Sequence, residues 1–233
     1  IFSAMKVDAI ILARGGSKGI LGKNTIDFLG KPLLAWTIEQ CLRTRSVDNV
    51  WVSSDSQMIL DVAETYGAKT IKRPADISGD EATSESGWLH AIEYLEDNNT
   101  KIDIVLAPQV TSPLREPKDI DLAIEVFKND RLDSLFSSSG VDDLYYWHID
   151  CNGVLNSVNY DYTNRKRRQD IQQQIIENGS FYLFKPEILK KENNRFGGKI
   201  GHYAMEFWKM FEIDHADDVR MCSALMQEFL IED

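Results

Sequence analysis

The sequence predicts an α/β protein, a mostly parallel sheet with helices on both faces, interrupted late by a small inserted subdomain. Short apolar runs alternate with helical stretches through the first 140 residues, which is the pattern of parallel strands joined by helices. Polar clusters follow one run after another. The alternation then fails from 141 to 178 and resumes on a new apolar run. The expected division is one α/β domain, 5–140 and 179–233, with 141–178 inserted in it.

Val7 to Leu12 is apolar and stopped by glycines, so it reads as a buried strand. Leu33 to Leu42 has helical spacing and follows Pro32, which suits a first helical position. Asn49 to Ser54 reads as a second strand. Ser56 then caps a helix to about Tyr66, which Gly67 ends. Lys69 to Lys72 is a short third strand. Thr83 or Ser84 opens a helix carrying Trp88, Leu89, Ile92 and Leu95. Asp103 to Ala107 is a fourth strand, Pro117 starts the next helix, and Asp133 to Ser138 is a fifth strand. Gly179 to Phe184 restores a strand after the polar, aromatic insertion. Phe211 to Asp214 reads as a strand end, and Ala216 to Ile231 as a closing amphipathic helix.

Composition narrows the function. The chain has 43% hydrophobic and 27% charged residues, an ordinary globular balance. Its net charge of −11 repels phosphate backbones, so nucleic acid is not an expected partner. No apolar run approaches a membrane span, and no membrane partner is expected. Cys41, Cys151 and Cys222 are widely spaced and fit no metal pattern, which suits a reducing, cytoplasmic setting. Ile1-Phe2-Ser3-Ala4 before Met5 is too short for a signal peptide and reads as an added remnant. His90, His148, His202 and His215 show no metal spacing and read as core or surface side chains.

The polar clusters share one position. Arg14-Gly15-Gly16-Ser17-Lys18-Gly19 follows the first strand, Ser54-Asp55 the second, Arg73-Pro74 the third, and Gln109 to Arg115 the fourth. In an open parallel sheet these ends form the edge where ligands bind. The glycine loop is neither a Walker loop nor a dinucleotide fingerprint, because Asn24 follows Gly22-Lys23 and no G-x-G occurs. Two readings fit it: a phosphate cradle with Arg14, Lys18 and Lys23 as counter-charges, or a glycine turn with solvated lysines. Glu212-Ile213-Asp214 places two carboxylates on one side of an extended chain with Ile213 turned inward. Such a pair suits Mg²⁺, which takes one or two carboxylates plus phosphates; a solvated strand end before the acidic start of a helix fits equally well. Arg165-Lys166-Arg167-Arg168 is the one strong basic run. It reads by default as a solvated face, with a localisation signal or a reach into an anionic site as alternatives.

Taken together these residues resemble the acylneuraminate cytidylyltransferases. The resemblance rests on Leu12 to Gly19 with Lys23-Asn24, and on Arg73-Pro74-Ala75 with Asp80 and Ser84. It rests further on Gln109 with Thr111-Ser112-Pro113-Leu114-Arg115, and on Arg168-Gln169-Asp170 followed by Glu177 to Tyr182. It covers residues 7 to about 231. It implies a three-layer Rossmann-like nucleotidyltransferase fold and transfer of CMP from CTP to a sialic acid-like nonulosonic acid, with Mg²⁺ as cofactor. By the same resemblance Arg14, Gly15, Ser17 and Lys18 would hold the triphosphate, and Asn24, Arg73 and Ser84 the cytidine. Gln109, with Thr111 and Ser112, would hold the acidic sugar, Glu212 and Asp214 the metal, and Arg168 would reach the reacting groups. Lys18, Arg14, Asp214 and Arg168 form the expected catalytic set. Arg14, Lys18, Arg73, Arg115 and Arg168 are the expected counter-charges. The insertion 141–178 would be a dimerisation subdomain. The family usually carries Asp-x-Asp where this chain has Glu212-Ile213-Asp214. Two other classes share much of this pattern: a nucleotidyltransferase for another sugar (a Kdo-type acid or a sugar 1-phosphate), and a non-catalytic nucleotide-binding module. Pyrophosphate release with each nucleotide separates them.

Overall fold

The computed structural model describes residues 5–16, 19–141, 144–171 and 173–231. In chain order it holds β1 (Val7–Leu12), the two-residue strands β2 (Asp27–Phe28) and β3 (Lys31–Pro32), and α1 (Leu33–Leu42). There follow β4 (Asn49–Ser54), α2 (Gln57–Thr65), β5 (Lys69–Lys72), α3 (Ser84–Asp97), β6 (Ile104–Pro108), α4 (Pro117–Asn129) and β7 (Ser134–Val141). The remainder comprises β8 (Trp147–Ile149), β9 (Leu155–Ser157), β10 (Gln174–Phe184), α5 (Pro186–Glu192), β11 (Ile200–Met205) and α6 (Ala216–Phe229).

β1 stands at the heart of a seven-stranded sheet of order β11-β7-β10-β6-β1-β4-β5. It pairs in parallel with β4 and β6, so that Ala9 lies opposite both Val50 and Leu106. β5 continues the parallel run beyond β4. β10 is the exception, antiparallel to both β6 and β7, and β11 closes the edge parallel to β7. A strand alternates its faces, and β1 does so: Val7, Ala9 and Ile11 enter one core and Ile10 the other. The first core is built with Leu34 and Ile38 of α1, Ile59 of α2, Ile124 of α4 and Cys222 and Met226 of α6. The second takes Trp88, Ile92 and Leu95 of α3 and Leu189 of α5. Helices thus cover both faces in three layers, as the alternation predicts.

Local chemistry sets several boundaries. Thr83 caps α3 by accepting from the Ser86 amide at 3.2 Å. A reciprocal capping box between Glu116 and Asp119, with Pro117 at the first helical position, starts α4. Pro32 stands just before α1, one residue outside the helix. Gly67, at φ +88°, ends α2 as expected.

The second half differs from the sequence reading. β10 begins at Gln174, five residues ahead of the expected strand, and β7 runs on to Val141. Both strands therefore cross the ends of the stretch read as an insertion. Between them lies the antiparallel β8–β9 hairpin. α5 and β11 went unread in the sequence. Phe211 to Asp214 belongs to no strand: it follows a 3-10 turn, Phe207–Met210, and makes a single sheet-like bond, Ile213 N–H to the Thr111 carbonyl at 2.8 Å. The expected facing survives, with Ile213 buried, Glu212 half-buried and Asp214 exposed. No helix among the described residues is long and apolar enough to cross a membrane.

Candidate active site

A cavity of about 440 Å³ opens where the parallel strands end. Arg14, Lys23 and Asn24 enter it from the loop after β1, Arg73 and Ser78 to Asp80 from beyond β5, and Ser84 and Trp88 from α3. Gln109 and Thr111 enter from beyond β6, and Arg195 from the loop after α5. This is the edge at which open α/β sheets bind ligands.

Three loops are tied together on one wall. Arg14 Nη1 lies 2.8 Å from the Asp80 carboxylate and donates to the Gly79 carbonyl at 3.3 Å. Asn24 donates to the Arg14 carbonyl at 2.9 Å. The Gly15 amide donates to Asp55, the residue after β4, at 2.9 Å. Arg73 is buried, and its Nε donates to the Ser78 hydroxyl at 3.0 Å. Burial holds its guanidinium below the ordinary arginine pKa; Asp55 opposes the shift and Arg14 adds to it. Gly87 lets α3 press against this wall, since a Cβ there would lie 2.8 Å from Arg73 Nη1 and 3.0 Å from Leu12 Cδ1.

The opposite wall is anchored on β10. The Gln109 amide donates to the Ser180 carbonyl at 3.0 Å, and its own carbonyl accepts from Arg115 Nη2 at 2.8 Å. Gly179, at φ +68°, passes between Glu212 and Gln109, and a Cβ there would sit 2.9 Å from Glu212 Oε1. Thr111 Oγ1 approaches Glu212 Oε2 at 3.4 Å. Ser112 is buried behind the wall with its hydroxyl 3.4 Å from the Gly179 carbonyl.

Glu212 and Asp214 each contact a cavity-lining residue, Thr111 and Lys23 respectively. Burial raises the Glu212 pKa, the negative charge of Asp214 raises it further, and Thr111 and Lys23 oppose. Asp214 is exposed and pairs with Lys23 at 2.8 Å. Two hard carboxylate oxygen donors that repel each other fit a divalent cation. Among the described residues no group of three or more His, Cys, Asp or Glu side chains could hold an ion alone.

The sequence-predicted residues therefore fall in three groups. Arg14, Asn24, Arg73, Ser84, Gln109 and Thr111 line the cavity, with Gly15, Glu212 and Asp214 bonded to its rim or neighbours. Ser112 supports from behind. Ser17, Lys18 and the Arg168 side chain lie outside the described residues. One expectation needs correction: Arg115 is not a counter-charge exposed to the cavity. It is wholly buried, and burial lowers its pKa to about 10 against the pull of Cys41 and Asp119. Its Nη1 and Nη2 are spent on Ser180, Thr37 and the Gln109 carbonyl, so it holds the wall in place. In the basic run, Arg165 stacks 4.5 Å from the Tyr145 ring and Arg167 pairs with Asp170.

Two residues escaped the sequence reading. Arg195 stands in a Lys- and Asn-rich loop where a single cation looks solvated. Lys209 is fully buried among Glu116, Asp119 and Glu206 at 2.7 to 2.8 Å. Only the spacing of Glu206 and Lys209, three residues apart, hinted at that cluster.

A family model described as cytidylyltransferase matches residues 9–229. The chain is 34% identical over 210 residues to N-acylneuraminate cytidylyltransferase A of Danio rerio, covering 89% of this chain and 48% of that one. It is 32% identical over 227 residues to a pseudaminic acid cytidylyltransferase of Campylobacter jejuni, covering 95% and 96%. The chain thus spans about half the length of the fish relative and nearly all of the bacterial one. Among solved structures, a CMP:2-keto-3-deoxy-manno-octonic acid synthetase complexed with CTP superposes with a TM-score of 0.73 at 15% identity, covering 97% of this chain and all of that one. A 4-diphosphocytidyl-2C-methyl-D-erythritol synthase from Anaerococcus prevotii does so with 0.67 at 15%, covering 96% and 97%. Those two likenesses speak for the fold. With a family model spanning nearly the whole chain and relatives above 30% identity, the chain belongs to the cytidylyltransferase family.

Proposed function

We propose that this chain transfers CMP from CTP to the anomeric hydroxyl of a sialic acid-like nonulosonic acid and releases pyrophosphate. The observation that supports this best is a single cavity with a cationic wall on the β1 and β5 side and Gln109 and Thr111 on the other. The names of the relatives, N-acylneuraminate and pseudaminic acid cytidylyltransferases, point to acidic nine-carbon acceptors. Neu5Ac, KDN and legionaminic acid are the members to try first.

The reaction asks the protein mainly for placement and charge. Arg14 and Lys18 balance the charge that develops on the leaving pyrophosphate, Ser17 and the Gly15 region hold the phosphates, and Asn24, Arg73 and Ser84 orient the nucleoside. Gln109 orients the acceptor so that its hydroxyl faces the α-phosphorus. Arg168 is placed by the family resemblance alone. Glu212 and Asp214 would hold Mg²⁺, which supplies charge neutralisation at the phosphates when bound. Asp214→Asn should raise the magnesium needed for half-maximal rate by roughly 10-fold or more, because an amide is a weaker ligand for a hard cation. Glu212→Asp should be tolerated. A magnesium titration of Asp214→Asn that overlays the parent's would make the pair structural.

The reading extends to a homodimer through the 141–178 region. Leu144, Tyr146, Trp147, Ile149 and Leu155 are each 37 to 67% exposed there, an apolar surface of the kind that partners cover. Light scattering should give twice the chain mass, and a concentration-independent monomer would refute the dimer. Three unpaired cysteines, two of them buried, support residence in the reducing cytoplasm. The activity itself is tested by measuring pyrophosphate release with CTP, UTP, ATP and GTP, with and without each acid. Release with CTP and a nine-carbon acid is expected. Faster release with a Kdo-type acid, or with UTP and a sugar phosphate, would overturn the assignment.

A further inference from the structure

Arg195 lines the cavity and is held by three groups. Its Nε donates to Glu85 Oε1 at 2.9 Å, and the side chain is only 19% exposed. The guanidinium carbon lies 4.7 Å from the Trp88 ring centroid and 4.5 Å from that of Tyr182. Both rings are themselves fixed: Trp88 Nε1 donates to the Ile10 carbonyl, and the Tyr182 hydroxyl donates to Glu177 at 2.6 Å. The charge and the plane of the fork are therefore set before any ligand arrives. Glu85 takes Nε; among the described residues Nη1 and Nη2 have no hydrogen-bond or ion-pair partner.

Topology says which ligand this fork meets. The nucleotide-side cations Arg14 and Arg73 stand beyond β1 and β5. Arg195 leans on Tyr182 of β10, which pairs with Ala107 of β6, two residues before Gln109. It thus bridges the acceptor wall, through Tyr182, to Glu85 and Trp88 of α3. Among the described cavity cations, Arg14 pairs with Asp80 and Lys23 with Asp214, while Arg73 lies buried on the nucleotide side with its Nε on Ser78. A guanidinium with Nε occupied and two parallel N–H groups open matches a carboxylate.

We infer that Arg195 is a specificity-determining residue that binds the carboxylate of the acceptor acid through Nη1 and Nη2, with Glu85 as the positioning residue that aims it. The inference rests on the CMP-transfer reading above and adds to it the group that selects acids over neutral sugars.

The test is steady-state kinetics on the full chain with CTP and a nonulosonic acid, and with the same acid as its carboxamide. Arg195→Gln should raise the acceptor KM about 10- to 100-fold, the range of a hydrogen bond to a charged group, with the CTP KM within about two-fold. The parent should discriminate against the carboxamide by a similar factor, and Arg195→Gln should hardly discriminate. Glu85→Gln should give a smaller rise, again for the acceptor alone. Arg195→Lys keeps the charge without the fork and should fall between; it carries the test if the Gln variant does not fold. A folded Arg195→Gln with the parent's acceptor KM, an equal rise for CTP, or undiminished discrimination between acid and amide would overturn the inference alone. A parent that turns over no nonulosonic acid with CTP would remove the underlying reading and the inference with it.

Discussion

Lys209→Met should unfold with about 3–5 kcal/mol less free energy than the parent, a large share of a typical domain's stability. The Lys209 ammonium is fully buried and bridges Glu116 and Asp119 at the start of α4 to Glu206 in its own turn. Burial works against that ammonium, but the hydrogen bonds it donates to Asp119, Glu116 and Glu206 outweigh it and hold the pKa well above the ordinary lysine value. Asp119 also closes the capping box of α4, and its side chain is only 2% exposed. Removing Lys209 leaves that carboxylate buried with only the Glu116 amide as its partner. Burial already raises the Asp119 pKa, and losing the ammonium raises it further. The folded variant then holds a proton that the unfolded chain releases, so its deficit grows as pH rises through the carboxylate range. It should be smallest at and below about pH 4, the ordinary aspartate value. Urea melts at several pH values check this; a deficit below 1 kcal/mol at about pH 7 would show that the cluster relaxes at little cost.

Lys18→Ala should lower turnover by roughly 10²-fold or more while leaving the melting temperature almost unchanged. The size is that of losing one preorganised donor to a developing negative charge. The reasoning is positional. Lys18 lies in the glycine loop at the carboxyl end of the central strand, and its flanking residues Arg14, Lys23 and Asn24 all line the cavity. Turnover near the parent's at saturating CTP would deny it this role.

Much of this was legible because the central strands are buried on both faces. β1 needs apolar residues at nearly every position, so Val7 to Leu12 announces itself, and the polar loop after it is conspicuous by contrast. The inward turn of Ile213 between two carboxylates followed from an extended backbone alone. The later elements lacked such contrast. β11 lies at the sheet edge, and five of its six residues keep some exposure, so Ile200 to Met205 shows no apolar run. α5 has seven residues and buries Leu189 and Pro186, too little for a periodic pattern. The first part of β10 extends past the core with half-exposed positions. Arg115 and Lys209 were misread or missed for a shared reason. A buried cation depends on partners distant in sequence: Ser180 and Thr37 for one, Glu116 and Asp119 for the other. Composition assigns such residues to the surface.

The transfer of CMP itself is tested most directly by following two labels. CTP carrying ³²P at the α-phosphate, incubated with enzyme, magnesium and a nonulosonic acid, should place the label in a sugar nucleotide. CTP labelled at the γ-phosphate should place all of its label in pyrophosphate. The α-label in free CMP alone, or the γ-label on the sugar, would contradict the account.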